Sequence, residues 1–198
     1  MIEIEKKFIL TSAQEKHLKN GAKFLGEKVF TDIYFDKNDY ELTKNDIWLR
    51  MRDKQIELKM PVETEGKKSK MCCNRYEEFV LENDVRQMLN LSKGNDLLGD
   101  LKNSGFRPFA SITTRREKFK KDKFTIDIDA CDFGYSIVEI ELMVDDKTLI
   151  SDAEKQIIAF AEKLNFSTKA VHGKVIEFLL RKSPEHYKIL QEEGVIVG

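Results

Sequence analysis

Charged and apolar residues alternate along several short segments of the chain. Near the start, Glu3, Glu5 and Lys7 occupy every second position, and later Arg50 and Arg52 do the same. Alternate side chains of a β-strand lie on the same face of a sheet. Because charges of both signs are costly to bury, we expect these faces to be hydrated. The pattern predicts a closed or strongly curved sheet with a charged, water-filled lumen that suits a polyanion and its metal ion.

Hydrophobic periodicity and turn residues divide the chain into strands and helices. The predicted strands span residues 2–9, 29–36, 76–81, 109–119, 123–129 and 136–144, with a hairpin over 47–60 and a polar turn at 120–122. The predicted helices span 12–21, 83–104 with a break at 92–95, 173–181 and 184–193, and another begins at Ser151. About eight strands with late helices predict an α+β fold, an eight-stranded antiparallel β-barrel with peripheral helices, in a single domain over residues 1–198.

Composition narrows the class of protein. The chain has 34 basic and 35 acidic residues and a formal net charge of -1, whereas a nucleic-acid-binding domain usually carries a basic excess. No apolar run is long enough to span a bilayer, and the N-terminal sequence lacks the pattern of a secretory signal. Cys72, Cys73 and Cys131 make a poor disulfide framework. We therefore expect a cytoplasmic monomer that binds neither nucleic acid nor membrane.

The basic residues at alternate positions form a candidate anion-binding group. An arginine guanidinium presents a planar set of donors that matches phosphate oxygens, so Arg50 and Arg52 can hold neighbouring phosphates. The other candidates are Lys7, Lys59, Arg115 and Lys174. The alternative is that each is an ordinary solvated surface charge. The apolar Leu49 and Met51 at the intervening positions argue against this alternative for the set as a whole.

Acidic residues follow the same alternation and form a candidate metal-binding group. They are Glu3, Glu5, Asp127, Asp129, Glu139 and Glu141, with Glu78 as a further candidate. Clustered carboxylates repel one another unless a cation joins them, and such oxygen ligands suit Mg²⁺ or Mn²⁺. A glycosidase would use a carboxylate pair without the arginines, so the cations favour a phosphate substrate. The chain has neither a P-loop nor a Rossmann glycine motif.

Together these motifs resemble those of the CYTH superfamily, the triphosphate tunnel metalloenzymes. The N-terminal Glu3-x-Glu5-x-Lys7 is similar to the E-x-E-x-K signature of that superfamily. Further matching segments follow in order: Trp48-Leu49-Arg50-Met51-Arg52, Glu57-Leu58-Lys59, Arg115, Asp127-Ile128-Asp129 with Asp132-Phe133-Gly134-Tyr135, Glu139-Ile140-Glu141, and Lys174. Their order and spacing resemble the animal thiamine triphosphatase branch over nearly the whole chain.

The resemblance implies an antiparallel tunnel that binds a triphosphate together with Mg²⁺, or alternatively Mn²⁺. The implied substrate-binding residues are Lys7, Tyr34, Trp48, Arg50, Arg52, Lys59, Arg115 and Lys174. The implied metal ligands are Glu3, Glu5, Asp127, Glu139 and Glu141. Trp48 resembles the aromatic residue that stacks on the thiamine group in that branch. Lys59 and Tyr76 form a candidate acid–base pair, with Tyr34 as an alternative to Tyr76.

The expected function is therefore Mg²⁺-dependent hydrolysis of thiamine triphosphate to thiamine diphosphate and phosphate. An inorganic tripolyphosphatase would use the same tunnel and ignore the organic group. More distant alternatives are an adenylyl cyclase of the same superfamily and a non-catalytic polyphosphate-binding module. The carboxylates argue against the binding module, because without a metal ion they would repel the polyanion. A purely structural barrel would gain nothing from a charged face.

Overall fold

The computed structural model describes residues 1–62, 73–94 and 96–196. The strands are β1 Ile2–Phe8, β2 Lys23–Asp36, β3 Trp48–Arg52, β4 Gln55–Pro61, β5 Asn74–Phe79, β6 Arg107–Lys121, β7 Phe124–Cys131 and β8 Tyr135–Val144. The helices are α1 Ser12–Lys19, α2 Glu82–Met88, α3 Leu97–Asn103, α4 Ile150–Lys163, α5 Lys174–Lys182 and α6 Pro184–Glu192. Within the described residues, none of the helices has both the length and the apolar character needed to cross a membrane.

The strands form a closed antiparallel barrel in the order β1-β5-β4-β3-β2-β6-β7-β8. This confirms the predicted α+β barrel of eight strands. Closure pairs every strand on both sides, so the sheet has no open edge. β2 begins at Lys23, before the predicted start at residue 29. The sequence pattern did not indicate this first half of the strand, because its side chains are mostly exposed and lack an alternating pattern. The segment 83–104, predicted as helical with a break at 92–95, forms the two helices α2 and α3.

The chain divides into two compact units, each with its own hydrophobic core. The first unit comprises Met1–Val29, Val62–Glu77 and Thr114–Lys174, and the second comprises Phe30–Pro61, Glu78–Thr113 and Val175–Gly198. One core cluster of buried side chains lies in the first unit and another in the second. The charged residues of interest are therefore described below unit by unit.

In the first unit, α4 covers the apolar face of β1 and β8. The buried residues of α4 include Ile150, Ala153, Ile157 and Ala161, a spacing that places them on one side of a helix. They pack in one cluster with alternate residues of β1 such as Ile4. Because successive strand residues point to opposite faces, the intervening charged residues of β1 and β8 lie on the face away from α4.

An ion pair fixes α4 to the barrel. The Arg75 guanidinium on β5 donates from Nε to Oε1 of Glu154 on α4, 2.6 Å away, and the Glu154 side chain is buried. A buried charge is tolerated only when it is paired and hydrogen-bonded. This contact therefore fixes the position of α4 more specifically than apolar packing alone.

In the second unit, the apolar face of β3 and β4 packs against α2 and α3. Leu49 and Leu58 pair directly across the two strands and are buried. They belong to the same cluster as Val85 of α2 and Leu101 of α3. This packing places the even-numbered residues of β3, including Arg50, on the opposite face of the sheet.

Candidate active site

Strand register gathers the acidic residues of the first unit onto one face. Glu5 of β1 lies opposite Glu141 of β8, and Lys7 lies opposite Glu139. On the other side of β8, Glu139 lies opposite Asp127 of β7. Directly opposed residues of antiparallel strands share a face and have neighbouring side chains. Three strands therefore contribute carboxylates to one surface.

Three of these carboxylates converge closely enough to hold a metal ion. One oxygen each from Glu5, Glu139 and Glu141 lies within 4.8 Å of the others. Glu5 and Glu139 are buried and Glu141 is half-buried. An all-oxygen, anionic set of donors matches the preference of Mg²⁺ and Mn²⁺. The residues present therefore fit a divalent cation.

Electrostatics supports this assignment. Burial, together with the nearby carboxylates of Asp127, Glu3, Glu139 and Glu5, raises the pKa of Glu141 to about 8. Desolvation and like charges both disfavour the ionised form of a carboxyl group. A bound divalent cation would relieve this repulsion.

Arg116 neutralises the acidic residues beside the three-carboxylate group. Its guanidinium donates from Nε and Nη2 to the two carboxylate oxygens of Asp129, each 2.6 Å away, and from Nη2 to Oε2 of Glu139 at 2.9 Å. Nη1 donates to Oδ2 of Asp127. All four side chains are buried. The guanidinium therefore serves chiefly as the counterion of these carboxylates.

Asp127, predicted as a metal ligand, thus lies next to the three-carboxylate group rather than within it. Its Oδ1 atom lies 3.1 Å from the Lys118 ammonium, an ion pair without good hydrogen-bond geometry. Among the residues that the structure describes, this buried oxygen accepts no hydrogen bond. The Lys118 ammonium therefore shares the neutralisation of Asp127 with Arg116.

The structure corrects the placement of Arg115. The side chain is 58% exposed and its Nη1 atom lies 3.7 Å from Oε2 of Glu27. In the register of β6 and β7, Arg116 lies opposite Asp129, whereas Arg115 lies opposite Ala130 and points to the other face. Arg116, not Arg115, is the arginine of this strand that meets the carboxylates.

Two lysines complete the charged face of the first unit. The Lys7 ammonium donates to Oδ1 of Asn74 at 2.9 Å and forms a close ion pair with Glu5. Lys174 begins α5, and its ammonium donates to Oδ2 of Asp129 at 2.7 Å. The predicted Lys7 and Lys174 therefore both contact the acidic residues.

Glu3 and Tyr76 lie opposite each other on β1 and β5, and Tyr76 is buried. Glu3 lies outside the three-carboxylate group but contributes to the raised pKa of Glu141. The predicted Glu3 therefore belongs to the acidic surroundings of the three-carboxylate group. The register also places Tyr76 on the same face of the first unit as Glu3.

In the second unit, each predicted arginine is paired with a carboxylate. Arg52 donates from Nε and Nη2 to the two oxygens of Asp32, at 2.6 and 2.8 Å, and its guanidinium lies 4.1 Å from the centre of the Phe30 ring. Arg50 donates from Nε to Oε2 of Glu57 at 2.7 Å. Bidentate pairing and ring stacking fix the plane of a guanidinium. In the sequence, Glu57 was identified only within the Glu57-Leu58-Lys59 segment and Asp32 was not identified, because the pairing of both with the arginines depends on cross-strand register.

The remaining predicted residues of the second unit share the face of the arginines. Tyr34 lies opposite Arg50, and Lys59 lies opposite Trp48. The indole Nε1 of Trp48 donates to Oδ1 of Asp46 at 2.9 Å, and Trp48 is only 8% exposed. The ring of Trp48 is therefore fixed in orientation and largely covered.

Fold and site together define a closed barrel whose charged residues suit a divalent cation and an anionic ligand. Residues 1–173 match the CYTH domain, and the chain belongs to this family. This confirms the resemblance found in the sequence. The thiamine-triphosphatase of Macaca fascicularis is 28% identical over 211 residues, which cover 97% of this chain and 90% of that protein.

Solved structures share the fold. The PH1819 protein from Pyrococcus horikoshii OT3 superimposes with a TM-score of 0.63 at 22% identity, covering 91% of this chain and 99% of that one. A suggested adenylyl cyclase from Hippeastrum, described as having a dominant triphosphatase activity, superimposes with a TM-score of 0.56 at 13% identity, covering 88% and 93%. At these identities the two structures support the fold alone.

The raised pKa of Glu141 predicts an unusual pH dependence of stability in the metal-free protein. Between its ordinary value of 4.5 and its folded value of about 8, the unfolded chain has released a proton that the folded chain keeps. The contribution of this group to the free energy of unfolding therefore falls as the pH rises through that window. We expect Glu141→Gln, without metal, to melt at a higher temperature than the wild type at about pH 8, with a smaller difference at about pH 5. Thermal unfolding in EDTA measures this.

The same experiment with Mn²⁺ tests the metal site. Added Mn²⁺ should raise the melting temperature of the wild type clearly and that of Glu141→Gln much less, because a ligand stabilises the state that binds it. Glu162→Gln, on the exposed side of α4, is the matched control and should follow the wild type in both buffers. Equal destabilisation by Glu141→Gln at both pH values would contradict the argument.

Proposed function

We propose that the protein is a divalent-metal-dependent hydrolase that releases the terminal phosphate of thiamine triphosphate. The observation that carries the proposal is the convergence of Glu5, Glu139 and Glu141 within 4.8 Å, in a chain that also presents paired arginines. Family membership and the thiamine-triphosphatase relative support the choice of a triphosphate. The catalysed reaction is then water attack on a phosphoanhydride.

In this proposal Glu5, Glu139 and Glu141 hold Mg²⁺ or Mn²⁺. The bound ion would neutralise charge on the phosphate oxygens and activate water. Glu3 and Asp127 surround this group and remain proposed members of the acidic set. The Lys118 ammonium lies 3.1 Å from Oδ1 of Asp127 and partly offsets the negative charge of this carboxylate.

The basic residues bind the triphosphate and orient it. Arg50 and Arg52 offer donors whose planes are already fixed by Glu57 and Asp32, so little freedom is lost when phosphate binds. Lys7, Lys59 and Lys174 add ammonium groups that stabilise charge on the oxygens during phosphoryl transfer. Arg116 takes the place of Arg115, but chiefly as a counterion of the acidic group.

Lys59 and Tyr76 are the proposed acid–base pair, and Tyr34 is the alternative to Tyr76. Tyr76 is buried, and so is Tyr34, whose ring lies 6.1 Å from that of Phe109. In this role one group would accept a proton from the attacking water, and the other would provide a proton to the departing diphosphate.

A second candidate, an inorganic tripolyphosphatase, is favoured by one observation. Trp48 is only 8% exposed, so little of its ring surface is accessible to an organic group. Tripolyphosphate needs the arginines and the metal ion but no ring. The two functions therefore differ only in what Trp48 contributes.

A comparison of hydrolysis rates on thiamine triphosphate, tripolyphosphate and ATP tests the proposed function. We expect thiamine triphosphate to be hydrolysed fastest with Mg²⁺ or Mn²⁺. EDTA should abolish activity and added metal should restore it, because the acidic residues repel the substrate when the ion is removed. Full activity in EDTA would rule out the metal-dependent mechanism, and a clear preference for tripolyphosphate would favour the second candidate.

Arg50→Ala or Arg52→Ala should lower kcat/KM by about 10²-fold, the effect of losing a charge-assisted contact in a partly desolvated site. Arg115→Ala is the matched control, because this arginine lies on the opposite face of β6 and is 58% exposed. It should keep activity close to that of the wild type. Steady-state kinetics on thiamine triphosphate measures all three. A similarly small effect of all three substitutions would show that the arginines of β3 are ordinary surface charges.

Trp48→Ala should separate the two candidate substrates. The thiazolium ring is a flat cation, and stacking on an indole is worth about 1–2 kcal/mol when partly desolvated. We therefore expect hydrolysis of thiamine triphosphate to weaken about 5- to 30-fold, while that of tripolyphosphate stays nearly unchanged. An equal loss on both substrates would mean that Trp48 only shapes the wall, and the tripolyphosphatase assignment would then be preferred.

A further inference from the structure

The segment that leads into α5 is attached to the first unit at a point just before Lys174. Tyr135, the first residue of β8, donates its hydroxyl to the main-chain carbonyl of His172 at 2.6 Å. The Tyr135 ring also stacks beside that of Phe133, with ring centres 6.0 Å apart and planes inclined by 18°. The hydrogen bond therefore joins the start of β8 to the backbone two residues before Lys174.

The next residue, Gly173, lies against Lys7. A Cβ atom at this position would lie 3.1 Å from Cε of Lys7, closer than almost all real contacts of this kind. A methyl group at position 173 would therefore require the end of the Lys7 side chain to shift by a few tenths of an ångström. Because no side chain intervenes, the backbone of Gly173 can approach the Lys7 side chain, whose ammonium binds Asn74 and Glu5.

Lys174 follows at once and enters the acidic group. It is 6% exposed, and its ammonium donates to the same Oδ2 atom of Asp129 that Arg116 contacts. Three successive residues thus contact three different parts of the first unit. His172 accepts a hydrogen bond from Tyr135, and Gly173 packs against the Lys7 side chain. Lys174 donates a hydrogen bond to Asp129. The position of two ammonium groups depends on where this backbone lies.

We propose that Tyr135 is a positioning residue for Lys174, and through Gly173 for Lys7, in a role that rests on the proposed function. A lysine ammonium is carried by a long flexible stem, so its position is costly to fix. Anchoring the backbone two residues earlier reduces the freedom of that stem before substrate binds. A displacement of a reacting or charge-stabilising group by about 1 Å can lower the rate by up to about 10²-fold.

Tyr135→Phe removes the hydroxyl and keeps the ring. Loss of one hydrogen bond of ordinary strength predicts a decrease in kcat of about 3- to 10-fold, with KM within about 2-fold of the wild type. Phe133→Leu is the matched control, because it disturbs the ring stack without touching the hydroxyl. It should leave kcat near the wild-type value. An effect of Phe133→Leu equal to that of Tyr135→Phe would assign the loss to packing and overturn the proposal.

A double-mutant cycle tests whether Tyr135 acts through Lys174. If it does, Tyr135→Phe should have almost no further effect on kcat when combined with Lys174→Ala. A purely structural role would instead multiply the two losses.

Gly173→Ala tests the contact with Lys7, because its methyl group would displace the Lys7 side chain while the Tyr135 hydroxyl remains. It should also lower kcat, and its loss should be largely masked in the Lys7→Ala background.

Chemical labelling tests the same inference without any activity. Brief acetylation followed by mass spectrometry reports how accessible each lysine amine is. In Tyr135→Phe the labelling of Lys174 should rise about 3-fold or more. The buried position of its ammonium on Asp129 is then no longer stabilised by the hydrogen bond from Tyr135 to His172. Lys188, whose side chain is 74% exposed, should be labelled equally in both proteins. Unchanged Lys174 labelling would overturn the positioning role, whereas absence of triphosphate hydrolysis by the wild type would overturn only the proposed function.

Discussion

The arrangement of the site depends on how buried carboxylates are neutralised. In the first unit Arg116 binds both oxygens of Asp129 and reaches Asp127 and Glu139. Lys7, Lys118 and Lys174 pair with Glu5, Asp127 and Asp129, while burial and the neighbouring carboxylates still raise the pKa of Glu141. The cost of several unpaired buried charges would be large. A divalent cation among Glu5, Glu139 and Glu141 would reduce this cost, so the charges that are unfavourable to bury are also those that fit a metal ion.

In the second unit the charges to be balanced are positive, and neighbouring carboxylates hold the arginine side chains in fixed positions. Each arginine of β3 is bound by a carboxylate from a neighbouring strand, and the Arg52 guanidinium also stacks on Phe30. Such pairing lowers the net positive charge and fixes the plane of each guanidinium. The expected consequence is recognition by geometry more than by total charge. The balanced composition of the whole chain is consistent with this, because the anion-binding residues carry their own counterions.

Alternation along the strands was enough to predict the barrel and the charged faces that carry the acidic residues and the arginines of β3, but not which three carboxylates converge. It was not enough to choose between Arg115 and Arg116. A three-residue turn at 120–122 would place Arg115 opposite Asp127, but the strands turn through Asp122 and Lys123, with Asp122 at a φ of 52° and Lys121 paired with Phe124. A shift of one residue moves every side chain of a strand to the other face. The role of Asp32 was likewise hidden, since nothing local in the sequence says which arginine lies opposite it.

For the proposed substrate, the sequence indicates the phosphate half more clearly than the organic half, for a physical reason. A triphosphate and its metal ion need many charged side chains, and these repeat at alternate positions of several strands. A wrong assignment of one residue therefore does not hide the pattern. An organic cation needs only one ring. Here that ring is Trp48, whose indole N–H is held by Asp46 and whose surface is largely covered. Stacking on thiazolium requires some of this ring face to become accessible, whereas a tripolyphosphate requires no such change. In the proposed function, substrate choice therefore depends on how much of the Trp48 ring face a ligand can reach, while the proposed hydrolysis depends on the charges.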